Sequence, residues 1–197
     1  MFSVEEIREN YKRLSNAEIE KLAREESKTL RREVLSVLKD EIKLRNLNVD
    51  LISWVDAETN TFTGVEKTTL IRKIEKLPCP NCGDKKTTLS GHTYTTIISV
   101  LIGYKQKDHK KILCHRCGRN EKITAFFKTF LFGWWSRTGL FLTPYILLKS
   151  PFSSFFKEKQ HQLVFDDFLH KNNGTLRLQG TENGVLEEII KKYNTPI

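Results

Sequence analysis

The chain's four cysteines form two Cys-x-x-Cys steps, Cys79 and Cys82 in LPCPNCG and Cys114 and Cys117 in ILCHRCG. Two thiolates at this spacing can grip one ion from a tight turn, and a second pair completes a tetrahedron of sulfurs around Zn²⁺ at roughly 2.3 Å per bond. Four thiolates fill every position of such an ion, leaving none for water or substrate. The expectation is therefore one structural Zn²⁺ held by Cys79, Cys82, Cys114 and Cys117. Gly83 and Gly118 follow the second cysteine of each step, where a residue able to take positive φ is favoured as the backbone curls around the sulfurs. The two halves read as one local design.

Disulfides and a redox pair are the other uses of such cysteines. The amino terminus MFSVEEIRENYKRL is charged and lacks the apolar stretch of a secretory leader, so a reducing setting is expected. The expected location is the cytoplasm, extending to the inner face of the membrane. A thioredoxin-like pair would occur once, at a strand-to-helix turn. With four cysteines available, His115 is read as pointing away from its knuckle, His92 as a turn residue and His109 as part of a hairpin turn.

Between Cys82 and Cys114 lie 31 residues, more than the ~15 to 20 of the common spacing. An extended hairpin fills the difference. Residues 93–105, TYTTIISVLIGYK, are rich in β-branched and aromatic types and predict a strand; QKDHK (106–110) predicts a polar turn, and KILC returns to the second knuckle.

Charge is concentrated in the same region. The net +9 is carried by residues 78–160, with 14 Lys and Arg against 4 Asp and Glu, while the amino-terminal 77 residues balance and the last 37 are slightly acidic. A localised basic field fits an acidic partner: an anionic membrane surface, nucleic acid or an acidic protein.

Upstream the pattern is helical. Ser15 and Glu18 fit a capping box opening a short helix to about Glu26, and residues 29–46 place Leu30, Val34, Val37, Leu38, Glu41 and Arg45 at helical spacing. Residues 51–64 read as an irregular strand or loop, with Trp54 as a packing residue. Residues 65–77 predict a helix that Pro78 ends.

After the second knuckle comes an aromatic apolar segment, residues 123–152, which includes LFGWWSRTGLFLTP. Its uncharged run is long enough to cross a bilayer at ~20 residues. Arg137 near the centre, the breaks at Gly133, Gly139 and Pro144, and tryptophans away from the headgroup level argue against spanning. Two pieces of about ten residues lying along a membrane surface fit better, with Phe130, Phe132, Trp134, Trp135, Arg137 and Phe141 as the contacts. The same pieces could instead close a core. In the tail, Asn172-Asn173-Gly174 signals a turn, residues 175–178 alternate like a strand, and residues 185–193 predict a helix.

Residues 78–118, with CPNCG and CHRCG as knuckles, resemble the zinc-ribbon superfamily. The order of ribbon, long hairpin and LFGWWSRTGLFLTP is also similar to a group of uncharacterised bacterial proteins in which a zinc ribbon precedes a Gly-Trp-Trp-Gly and Thr-Pro segment, with Ser136 here in place of the last glycine. That resemblance implies a bacterial cytosolic or membrane-facing protein and brings no activity with it.

The expected fold class is α+β: a helical unit over 1–47, a linker and helix over 48–77, a zinc ribbon over 78–122, the aromatic segment over 123–152 and a small mixed tail over 153–197. The expected function is a non-enzymatic, structurally zinc-bound protein attached to a membrane surface. The alternative is nucleic-acid binding through Lys85, Lys86, Lys105, Lys107, Lys110, Lys111, Arg116 and Arg119. Catalysis would need a nucleophile with its base, paired carboxylates in a pocket or an open metal position. The sequence offers none, and Asp166 and Asp167, adjacent and so divergent, read as exposed acids. No small-molecule substrate is expected.

Overall fold

The structure, a computed structural model, describes residues 2–100, 103–134, 143–144 and 157–195. It is a mixed helix and sheet protein, and two compact units divide the chain: Met1–Thr63 with Asn172–Thr181, and Gly64–Lys171 with Glu182–Ile197.

In the first unit, α1 (Val4–Arg13) and α2 (Asn16–Lys21) each begin with a complete capping box, Ser3 with Glu6 and Ser15 with Glu18. Two orphan amides at each start are thereby satisfied. After α2 the chain tightens through Leu22–Glu26 and Ser27–Thr29 into α3 (Arg32–Leu44). The expected apolar stripe of α3 is buried at Val34, Val37 and Leu38, together with Ile42, against Tyr11, Ile19, Ala23, Leu51 and Val55. Glu41 on the same stripe holds Arg45 at 2.7 Å, and the guanidinium spans to the carbonyls of Leu14 and Tyr11. A buried charge is tolerable when its donors are used this fully.

Residues 51–64 correct the sequence reading, because Asp50–Thr59 form helix α4. Its C-terminal carbonyls are satisfied from far along the chain: the Asn173 amide donates to Ala57 and Glu58 at 2.7 and 3.0 Å. Arg177 donates to Asn60 and lies 3.8 Å over the Phe62 ring.

The second unit opens with α5 (Gly64–Glu75), the expected helix before Pro78. Strands β1 (Leu89–Val100) and β2 (Gly103–Cys114) pair antiparallel from Leu89↔Cys114 to Val100↔Gly103. The reversal therefore lies beyond Val100, and the predicted turn at 106–110 is instead the middle of β2. Its polar side chains are strand residues facing partners: Asp108 accepts from the Thr95 hydroxyl at 2.6 Å, and the His109 ring stacks on Tyr94 at 4.8 Å. A polar run lacking glycine makes an exposed strand as readily as a turn.

Helix α6 (His115–Phe132) starts where β2 ends; α7 (Lys157–Gln179) and α8 (Asn183–Asn194) follow. The expected turn at 172–174 and strand at 175–178 lie inside α7, so the tail is helical wherever it is described. An isolated two-stranded ribbon is marginal in water, and here side chains close both of its edges. The buried Thr129 hydroxyl of α6 accepts the Ile97 N–H of β1 at 3.1 Å. On the other edge, the Asn194 side chain of α8 accepts from the Ile112 N–H and donates to the Ile112 carbonyl, both at 2.8 Å. Leu89, Ile97, Ile112, Val164, Phe165, Phe168, Leu186 and Ile190 form the buried interior of this unit.

Candidate metal centre

The two cysteine steps come together from different local structures. Cys79 and Cys82 sit in a turn closed by Gly83 N–H to the Cys79 carbonyl at 2.7 Å, with Gly83 at φ +72° as expected. The second step departs from that design. Cys114 is the last residue of β2 and the N-cap of α6, its sulfur accepting the Cys117 N–H at 3.5 Å. Gly118 is therefore helical; its missing side chain makes room for the His92 ring, which a Cβ there would meet at 2.3 Å.

All four sulfurs lie within 4.8 Å of one another, and Cys82 and Cys114 are 3.8 Å apart. Sulfurs at the corners of a tetrahedron with 2.3 Å bonds are about 3.8 Å apart, so the spacing and the donor set suit one thiophilic ion. Cys79, Cys114 and Cys117 are buried while Cys82 reaches the surface. Burial pushes the Cys79 thiol up, but backbone amides of Cys114, Asn81 and Cys82 outweigh it and bring the thiol down to about 7. Cys117, desolvated among thiols, is pushed up to about 12. Metal uptake must then release protons. Among the described residues this is the only such group of potential ligands.

The histidines are placed differently from expectation, except that His115 is exposed on its helix. His92 and His109 are both strand residues. The His92 ring is held down to about 4 by burial and by Lys122 nearby.

The basic residues separate into two sets. Lys110 pairs with Asp167 at 2.5 Å and Lys111 with Glu121 at 2.9 Å, so both serve the fold. Lys85, Lys86, Lys105, Lys107, Arg116 and Arg119 are exposed. Asp167 is a further correction. Only 16% exposed, it takes Lys110, Lys171 and the Tyr193 hydroxyl, and these hold its carboxyl low against its burial; Asp166 is exposed and meets Lys67.

Of the expected membrane contacts, Phe130, Phe132 and Trp134 are exposed, while Trp135, Arg137 and Phe141 lie outside the described residues. The sequence reading missed four others. Ile123, Phe126, Phe127 and Leu131 are exposed with Phe130 and Trp134, at intervals of three and four along one side of α6. Arg116 and Arg119 begin the same side one turn earlier, whereas Phe132 lies off it. The signal was legible from Ile123 onward, but it becomes a single face only because the helix starts at the second knuckle. Among the described residues no helix is long and apolar enough to cross a membrane.

No protein-family model matches the chain, and no curated protein or solved structure is significantly similar to it. The four cysteines are compatible with a zinc site, and no family match adds a ribbon family to that.

Proposed function

We propose that the chain is a non-enzymatic protein whose second unit is held by one structural Zn²⁺ on Cys79, Cys82, Cys114 and Cys117, and which lies against an anionic membrane surface on the outer side of α6. The single supporting observation is the exposed stripe Ile123, Phe126, Phe127, Phe130, Leu131 and Trp134. Contiguous apolar surface of this kind is unusual on a free-standing protein. Arg116 and Arg119 on the same side, with Lys128 beside it, suit headgroup phosphates, and the rings suit the acyl boundary. The zinc fixes the start of the helix and so the angle of its face.

The test is co-sedimentation with vesicles of phosphatidylglycerol and phosphatidylcholine, compared with phosphatidylcholine alone. Binding should need the anionic lipid, weaken with salt, and fall at least tenfold in Phe127→Ser with Phe130→Ser, because each buried ring contributes about 1.5–3 kcal/mol. Equal binding by the double variant refutes the reading. Salt-dependent binding to single-stranded DNA that is lost in Lys105→Ala with Lys107→Ala, without vesicle binding, would favour the nucleic-acid alternative, whose support is the exposed cations of β2.

A further inference from the structure

The second unit contains a cavity of about 540 Å³ that the sequence gave no reason to expect. That is within the ~300–1,000 Å³ of small-ligand sites. The start of β1 supplies Ser90 and His92, and α7 supplies Lys157 at its first turn. The wall formed by α6 supplies His115, Arg119 and Lys122, which lie four and three residues apart and so on one side of the helix.

Three cations face this space. Glu158 is also on the wall, and Glu75 lies 3.2 Å from the His161 imidazole. Among the described residues Arg119, Lys122 and Lys157 make no ion pair. Lys122 gives one hydrogen bond to the Gln160 side chain at 3.0 Å and has two donors left. Burial and the charge of Lys157 both depress its basicity, and Lys122, His115 and His161 do the same to the buried His92. These groups therefore crowd each other's charge, and an anion between them would relieve it. The imidazoles do not converge as metal ligands, since among the described residues only the cysteines do. They remain as hydrogen-bond partners, with the Ser90 hydroxyl 3.0 Å from His92 Nε2.

We infer that this cavity binds a phosphate ester, its phosphoryl oxygens taken by Arg119, Lys122 and Lys157 and by the neutral donors Ser90 and His92. A tetrahedral dianion uses several cations and neutral donors at once, which a single carboxylate does not. The volume leaves room for the organic part of the ester. The site does not depend on membrane binding, and the phosphate could belong to a small soluble molecule or to a lipid headgroup.

Glycerol 3-phosphate is the probe, titrated by calorimetry into the zinc-loaded full chain at constant ionic strength maintained with chloride. Saturable 1:1 binding is expected, weakened about tenfold or more in Lys122→Met and in Arg119→Ala. Lys105→Met with Lys107→Met, on the exposed part of β2, should bind like the wild type. Zinc content and melting profile establish that each variant is folded; Arg119 is exposed, so its variant serves if Lys122→Met misfolds. Absence of saturable binding, or an equal loss in the β2 control, overturns the inference. Vesicles containing phosphatidic acid or phosphatidylglycerol then identify the source. A preference for phosphatidic acid that is lost in Lys122→Met assigns a lipid headgroup; glycerol 3-phosphate binding with no such preference assigns a soluble ester.

Discussion

Replacing Asn194 with Ala should destabilise the second unit by about 2–5 kcal/mol, although the residue lies at the end of the last helix and touches no metal ligand. Its carboxamide makes two 2.8 Å hydrogen bonds to the N–H and C=O of Ile112, as a third strand would at that point. Asn194 is 7% exposed and Ile112 fully buried, so water cannot replace the amide without opening the structure. Each hydrogen bond contributes about 1 kcal/mol net, and a buried polar group left without a partner costs about 1–3 kcal/mol. With two such groups orphaned, the upper part of the range applies, a large share of the ~5–15 kcal/mol typical of a domain. Asn194→Asp should not restore it, because a carboxylate accepts from the Ile112 N–H but meets the Ile112 carbonyl with no proton to donate. Urea unfolding of the zinc-loaded protein gives the magnitude, and amide exchange at Ile112 locates it. A loss below about 0.5 kcal/mol in Asn194→Ala, with Ile112 exchange unchanged, would refute the reasoning that side chains supply the missing strand on this edge.

Cys82→Ser and Cys117→Ser should each reduce bound zinc from one per chain to none at submicromolar free metal and broaden or abolish the unfolding transition of the second unit, since binding energy here is folding energy; full stoichiometry with an unchanged melt would contradict a four-sulfur site. Acid should weaken the fold through His92, whose pKa is about 4 in the folded protein against about 6.5 unfolded. The unfolded chain takes up the proton first, so this contribution is complete above pH 6.5 and is lost as pH falls toward 4. Between pH 7.5 and 5 it amounts to about 2 kcal/mol. His92→Gln should flatten that part of the pH dependence, and an identical pH profile would refute it.

The parts of this molecule legible in its sequence are those whose causes are local. The Ser15 capping box, the stripe of α3 and the end of α5 before Pro78 depend on residues within a few positions of each other. The cysteine steps are local in the same way, and only their convergence required the fold. The misread elements are those in which a residue serves a distant segment. Asn173 and Gly174 look like a turn, yet Asn173 donates to the carbonyls ending α4, and Gly174 is packed so close to Glu58 that a Cβ would meet its side chain at 2.8 Å. Their weak helix propensity, about 1 kcal/mol for glycine, is outweighed by contacts made more than a hundred positions away. The turn misplaced at 106–110 has the same origin. Lys110 and Lys111 have the look of loop residues, while Asp167 and Glu121 give them fixed places on a strand.

Cys114 ends a strand, caps a helix and offers its sulfur to the ion, and the cysteine paired with it at 3.8 Å lies 32 positions earlier. A bound metal is then a removable cross-link around the whole hairpin. Loop-closure entropy for a ring of this size comes to about 4 kcal/mol on the scale used for disulfides. Unlike a disulfide, this link is set by metal supply and not by redox potential. A cell short of zinc would lose the ring closure, the anchored start of α6 and the aim of its aromatic face in one step, with no change in how much of the chain is made.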